Sequence, residues 1–72
     1  MQYLVIVEKG ATSFGAFVPD LPGCVAVGES EEEVIELITE AIEFHLEDLT
    51  AEGRPIPPAL TKSQFIEVGL AA

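Results

Sequence analysis

The sequence predicts an α+β fold in the order β-β-β-α-β, a small antiparallel sheet with one long helix packed on it, in a single domain spanning residues 1–72. Three observations predict it. Short β-branched and aromatic runs separated by turn residues fill the first 28 positions. A strong helix start at Ser30 opens an acidic segment of helical periodicity. A proline-rich linker then precedes a last apolar run.

Gln2 to Glu8 is apolar on both alternating sets, Tyr3, Val5 and Val7 against Leu4 and Ile6, and reads as a strand covered on both faces. Gly10 to Ser13 supplies a turn, and Phe14 to Val18 completes a hairpin. Pairing is expected to stop at Pro19-Asp20-Leu21-Pro22-Gly23, where two prolines remove backbone donors and set a rigid bend. Cys24 to Val27 resumes as a third strand, closed by Gly28.

Ser30 is placed to cap the helix and Glu33 stands three residues on, the spacing of a reciprocal capping box worth about 0.5–2 kcal/mol. Glu31, Glu32 and Glu33 meet the positive end of the helix dipole. The helix is expected to run to about Ala51, with Gly53 as its stop and Pro55, Pro57 and Pro58 preventing continuation. Phe65 to Leu70 reads as a fourth strand.

Charge and length limit the function. Thirteen acids face Lys9, Arg54 and Lys62, for a formal charge of −10, and ten of the thirteen lie between Glu29 and Glu52. Such a field repels phosphate backbones and anionic membranes and speeds encounter with a basic protein. The expected partner is therefore a protein, with no direct nucleic acid or membrane contact. Cys24 is the lone cysteine and the N-terminus lacks a signal-peptide pattern, which makes the cytoplasm the expected location. Folding hides only roughly 60% of the unfolded chain's surface at this size, so stability is thin unless copies associate.

The helix carries the surface features. At about 100° per residue, Phe44, Leu37, Ala41, Val34, His45, Ile38, Leu49, Ile42, Ile35 and Leu46 fall in one arc of roughly 200°, interrupted by Asp48. One sheet covers little more than half of that. Either the C-terminal linker folds back over the excess, or a second copy covers it, with Leu37, Phe44, Ile35, Ile42 and Leu46 at the oligomer interface. The first strand, apolar on both faces, also asks for a partner. On the opposite side Glu36, Glu40, Glu43 and Glu47 form one ridge. A charge run is ordinarily a solvated face. Here two i, i+4 like-charge pairs each cost a few tenths of a kcal/mol with no lysine interleaved, which makes the ridge a docking surface to test.

No catalytic constellation emerges. His45 has Asp48 within reach three residues on, but neither Cys24 nor Ser13 stands where a nucleophile is needed, so His45 reads as a half-buried residue satisfied by Asp48 or a partner. One cysteine and one histidine make no structural zinc site, and Glu8, Asp20 and Glu67 are too scattered for a specific metal site. Glycine spacing fits neither phosphate loops nor dinucleotide fingerprints. The chain is expected to need no cofactor and to catalyse nothing.

The hairpin, the Pro-Asp-Leu-Pro-Gly-Cys corner ending at Cys24, the Gly28-Glu29-Ser30 helix entry and the acidic helix with Glu40-Ala41-Ile42 together resemble the HicB antitoxin family and its single-domain relatives. The resemblance covers about residues 2–58 and is sharpest over Phe17 to Cys24 and Gly28 to Glu33. It implies a partial ribonuclease-H-like fold without catalytic carboxylates, assembly into dimers or larger oligomers, and inhibition of HicA, a small basic toxin that cleaves messenger RNA. The matching residues Pro19, Asp20, Pro22 and Gly23 would set the corner. Many HicB proteins continue into a DNA-binding domain, whereas this sequence ends at Ala72, so autorepression by this chain alone is not expected. Two other readings stand beside the antitoxin one: an orphan oligomeric domain that binds another protein or a small ligand, and a vestigial ribonuclease-H-like hydrolase.

Overall fold

The structure, a computed structural model, describes residues 1–70. Three antiparallel strands, β1 (Ile6–Lys9), β2 (Phe14–Phe17) and β3 (Val25–Gly28), precede one long helix, α1 (Glu31–Ala51). The sheet order is β1-β2-β3, with Ile6 opposite Phe17 on one side of β2 and Phe17 opposite Val25 on the other. This is the α+β arrangement that the sequence predicts, less its last strand.

The first strand starts four residues later than expected. Pairing of β1 to β2 ends at Ile6–Phe17 because the chain enters the corner there: the Val18 carbonyl accepts from the Leu21 N–H, and Pro19, the next residue that would face β1, has no N–H to offer. Tyr3 to Val5 therefore has no β2 partner, although Tyr3, Val5 and Val7 are half-buried against the core. The corner is two consecutive tight turns, Val18 to Leu21 and Leu21 to Cys24, and Gly23 takes a φ of 85° that favours glycine. Between them Leu21 points inward and is fully buried.

The core lies between the sheet and one face of α1: Ala16, Val18, Leu21, Cys24, Val34 and Ile38 form its buried centre. Gly28 is what lets the helix sit so close. A Cβ there would lie 2.9 Å from the Val34 nitrogen and 3.1 Å from a Glu33 carboxylate oxygen, closer than side-chain carbons approach.

Ser30 caps the helix, its Oγ accepting from the Glu33 N–H at 3.1 Å. The return bond differs from the expected box by one residue: the Glu33 carboxylate accepts from the Glu29 N–H at 2.8 Å. At the other end Gly53, with φ 69°, lets its N–H reach the Thr50 carbonyl and that of Arg54 reach Leu49, which ends the helix where the sequence predicts.

The fourth strand expected over Phe65–Leu70 does not form. Those residues are exposed and pair with nothing among the described residues. A strand exists only against a hydrogen-bonding neighbour, and this segment has none among the described residues. No helix among the described residues is long and apolar enough to cross a membrane.

Candidate functional site

The surface of α1 divides along its length. Val34, Ile38 and Leu49 are buried and Ala41, Ile42, His45 and Leu46 half-buried, so the sheet covers the middle of the apolar arc. Both borders stay open: Leu37 and Phe44 on one, Ile35 on the other, with Phe44 72% exposed. Ile42 and Leu46 pack against their own core and offer less surface than the sequence placed at an interface.

Glu36, Glu40, Glu43 and Glu47 are all exposed on the far side and follow one line about 16 Å long. No basic side chain reaches them: among the described residues the one ion pair is Arg54 with Glu52, at 3.8 Å and largely in solvent. The ridge runs directly beside Leu37 and Phe44, since Glu40 stands three residues from Leu37 and four from Phe44. An unneutralised acidic line bordered by apolar side chains can attract a cationic surface and then exclude water from it.

The corner has a role that its local sequence does not reveal. Asp20 accepts from the Leu60 N–H at 2.9 Å, the Thr61 N–H at 2.9 Å and the Thr61 hydroxyl at 2.7 Å, tying the C-terminal linker to the body. Chiefly through the Thr61 hydroxyl, these bonds hold the carboxyl below its ordinary value. Tyr3 makes a second tie by donating its hydroxyl to the Pro57 carbonyl. No spacing rule could have found either, because the partners lie some 40 and 54 residues away in sequence. The linker thus folds back, but over Tyr3 and the corner, leaving Leu37 and Phe44 uncovered.

His45 and Asp48 line a shallow cleft with Pro22, Leu49, Glu52, Arg54, Pro55 and Pro57. No hydrogen bond joins the two among the described residues, so of the two expected ways of satisfying the ring, Asp48 or a partner chain, the first is not made. Nor do three or more histidine, cysteine or carboxylate side chains gather as metal ligands among the described residues. Cys24 is buried, and burial pushes its thiol pKa up, which makes it a poor nucleophile.

Comparison with known proteins places this arrangement. A UPF0150 protein of Synechocystis is 46% identical over 56 residues, covering 76% of this chain and 71% of the relative. A UPF0150 protein of Helicobacter pylori is 49% identical over 47 residues, 65% of each chain. An uncharacterised 14.9 kDa protein of Haemophilus phage HP1 is 32% identical over 66 residues, 92% of this chain but half of that protein's length. No solved structure matches the chain. The family model for the HicB-like antitoxin of bacterial toxin–antitoxin systems matches residues 3–68, almost the whole described fold, and the chain therefore belongs to the HicB-like antitoxin family.

Proposed function

We propose that the chain neutralises a small basic HicA-type toxin, one that cleaves messenger RNA, by docking on the toxin's RNA-binding surface in the cytoplasm. The family supports an antitoxin role and a toxin partner in general. The observation that carries the finer reading is the unpaired ridge of Glu36, Glu40, Glu43 and Glu47 with Leu37 and Phe44 open beside it. A surface that binds RNA is cationic because it must neutralise phosphates, and a ridge of carboxylates presents the same sign of charge. Occupying that surface blocks the substrate without any chemistry by the inhibitor, so the chain acts as a binding protein and not as an enzyme.

Electrostatic steering of this kind raises association rates by about ten- to a thousand-fold at low ionic strength, while the apolar border slows dissociation. We also read the chain as a homo-oligomer, a dimer or a dimer of dimers. The open borders of α1 and the outer sheet face, where Val25 and Val27 are 64% and 68% exposed, leave apolar surface that a second copy would cover. In this reading β-β-β-α is a partial ribonuclease-H-like unit used as a scaffold for binding.

The test replaces the four ridge glutamates by glutamine, confirms fold and mass, and follows association with the toxin across salt concentrations. The association rate is expected to fall at least tenfold at low salt, and its salt dependence to flatten. An unchanged rate would reduce the ridge to a solvated face. If the unmodified chain does not bind the toxin at all, the reading as an oligomeric domain with another partner takes its place.

A further inference from the structure

Among the described residues the apolar run after the linker pairs with no strand of its own chain. Thr61, Lys62 and Ser63 pass beside Gln2, Tyr3 and Leu4, with which they line a shallow cleft. Beyond it Phe65, Ile66, Val68 and Leu70 are 100%, 72%, 72% and 91% exposed. The composition is that of a strand, aromatic and β-branched with Ile66, Val68 and Leu70 on one alternating set, yet no strand pairs with it among the described residues. The molecule is correspondingly elongated. Its radius of gyration is 15.0 Å, against about 11 Å for a compact chain of this length, and its extents are 56 × 28 × 16 Å.

The sheet has the complementary vacancy. With β2 in the middle, no strand among the described residues pairs with the outer edge of β1, and Tyr3 to Val5 ahead of it lacks even a β2 partner. On the helix side of that edge Tyr3, Val5 and Val7 are only half-buried against the core.

We propose that Phe65–Leu70 of each copy forms a fourth strand along the outer edge of β1 of a second copy, the two segments being exchanged reciprocally. Ile66, Val68 and Leu70 would then cover Tyr3, Val5 and Val7 of the partner, and Phe65 would lie on the outer sheet face. A second copy is the fitting occupant because each chain carries both the free strand and the free edge, so one two-fold contact satisfies both at once. Charge agrees. Arg54 and Lys62, two of the chain's three basic residues, lie on the linker and the approach to this segment, against Glu67 alone, so the segment can meet an acidic body without like-charge repulsion. The acidic ridge lies on the helix face turned away from the sheet and stays free for a toxin.

This inference rests on the self-association reading, and the experiment separates the two. The mass of the full chain and of Val68→Pro is measured by light scattering after size exclusion, with circular dichroism as the check on folding. Proline at 68 fixes φ and removes a backbone N–H at a position 72% exposed in its own copy, so the helical signal should persist while the mass falls from an oligomer to a single chain of 7.7 kDa. An oligomer that survives Val68→Pro overturns the exchanged strand and leaves association through another surface. An unmodified chain that runs as a monomer overturns both. A mixture of isotope-labelled and unlabelled copies then decides between own and exchanged edges: filtered cross-peaks between residues 65–70 and β1 are expected across copies, and cross-peaks found only within one copy overturn the exchange.

Discussion

Asp20 and Gly28 each hold together parts of the chain that no local pattern connects. The Asp20 carboxylate satisfies three donors of the linker, and its pKa is depressed below the ordinary 3.8 by those bonds. A depressed carboxyl pKa contributes stability that is fully present above the unfolded value and is lost as pH falls through the folded one. The amide resonances of Leu60 and Thr61 should therefore titrate together with a midpoint below 3.8, and in Asp20→Asn that acid transition should vanish. A midpoint above 3.8 would mean that the anchor is not made in solution. At Gly28 the obstacle is the helix backbone itself, 2.9 Å from where a methyl group would lie. Gly28→Ala should lose about 1–3 kcal/mol in urea unfolding, the range for overpacking a tight contact. Alanine tolerated without loss would show that the entry to α1 is looser than described.

At the scale of elements, what local chemistry could specify was legible from sequence. Ser30 and Gly53 bound the helix because capping and glycine termination are matters of a few neighbouring residues. The proline corner ends β2 for the same reason. Strand extents were not legible, since Tyr3 to Val5 has the composition of a strand but the neighbouring chain turns away at Val18. The segment Phe65–Leu70 shows the same principle more strongly, for its pattern is that of a strand and no strand pairs with it among the described residues. At the candidate site the acidic ridge was readable from helical spacing, whereas the Asp20 and Tyr3 ties depend on contacts far apart in sequence. The cap gives the element its own test. Ser30→Ala should lose about 0.5–2 kcal/mol, while Ser30→Asp should retain most of the stability because it still accepts from the Glu33 N–H. Equal losses in both would show that the hydroxyl acts through something other than the cap.

The whole molecule is an acidic body with charge on one side of its helix, apolar surface at the helix borders and outer sheet face, and a strand-like segment, Phe65–Leu70, that no strand pairs with among the described residues. Its three basic residues, Lys9, Arg54 and Lys62, are scattered and cannot replace the counterions of a duplex. Fluorescence anisotropy against random duplex DNA should show no saturable binding at physiological salt, and binding tighter than micromolar would contradict the electrostatic account. The same charge favours a cationic protein partner. The most direct measurement of the central claim is messenger-RNA cleavage by a purified HicA-type toxin from the same genome as this chain is titrated in. Cleavage should fall to background once the chain is stoichiometric with the toxin and return as salt is raised; cleavage undiminished by a molar excess at low salt would contradict the account.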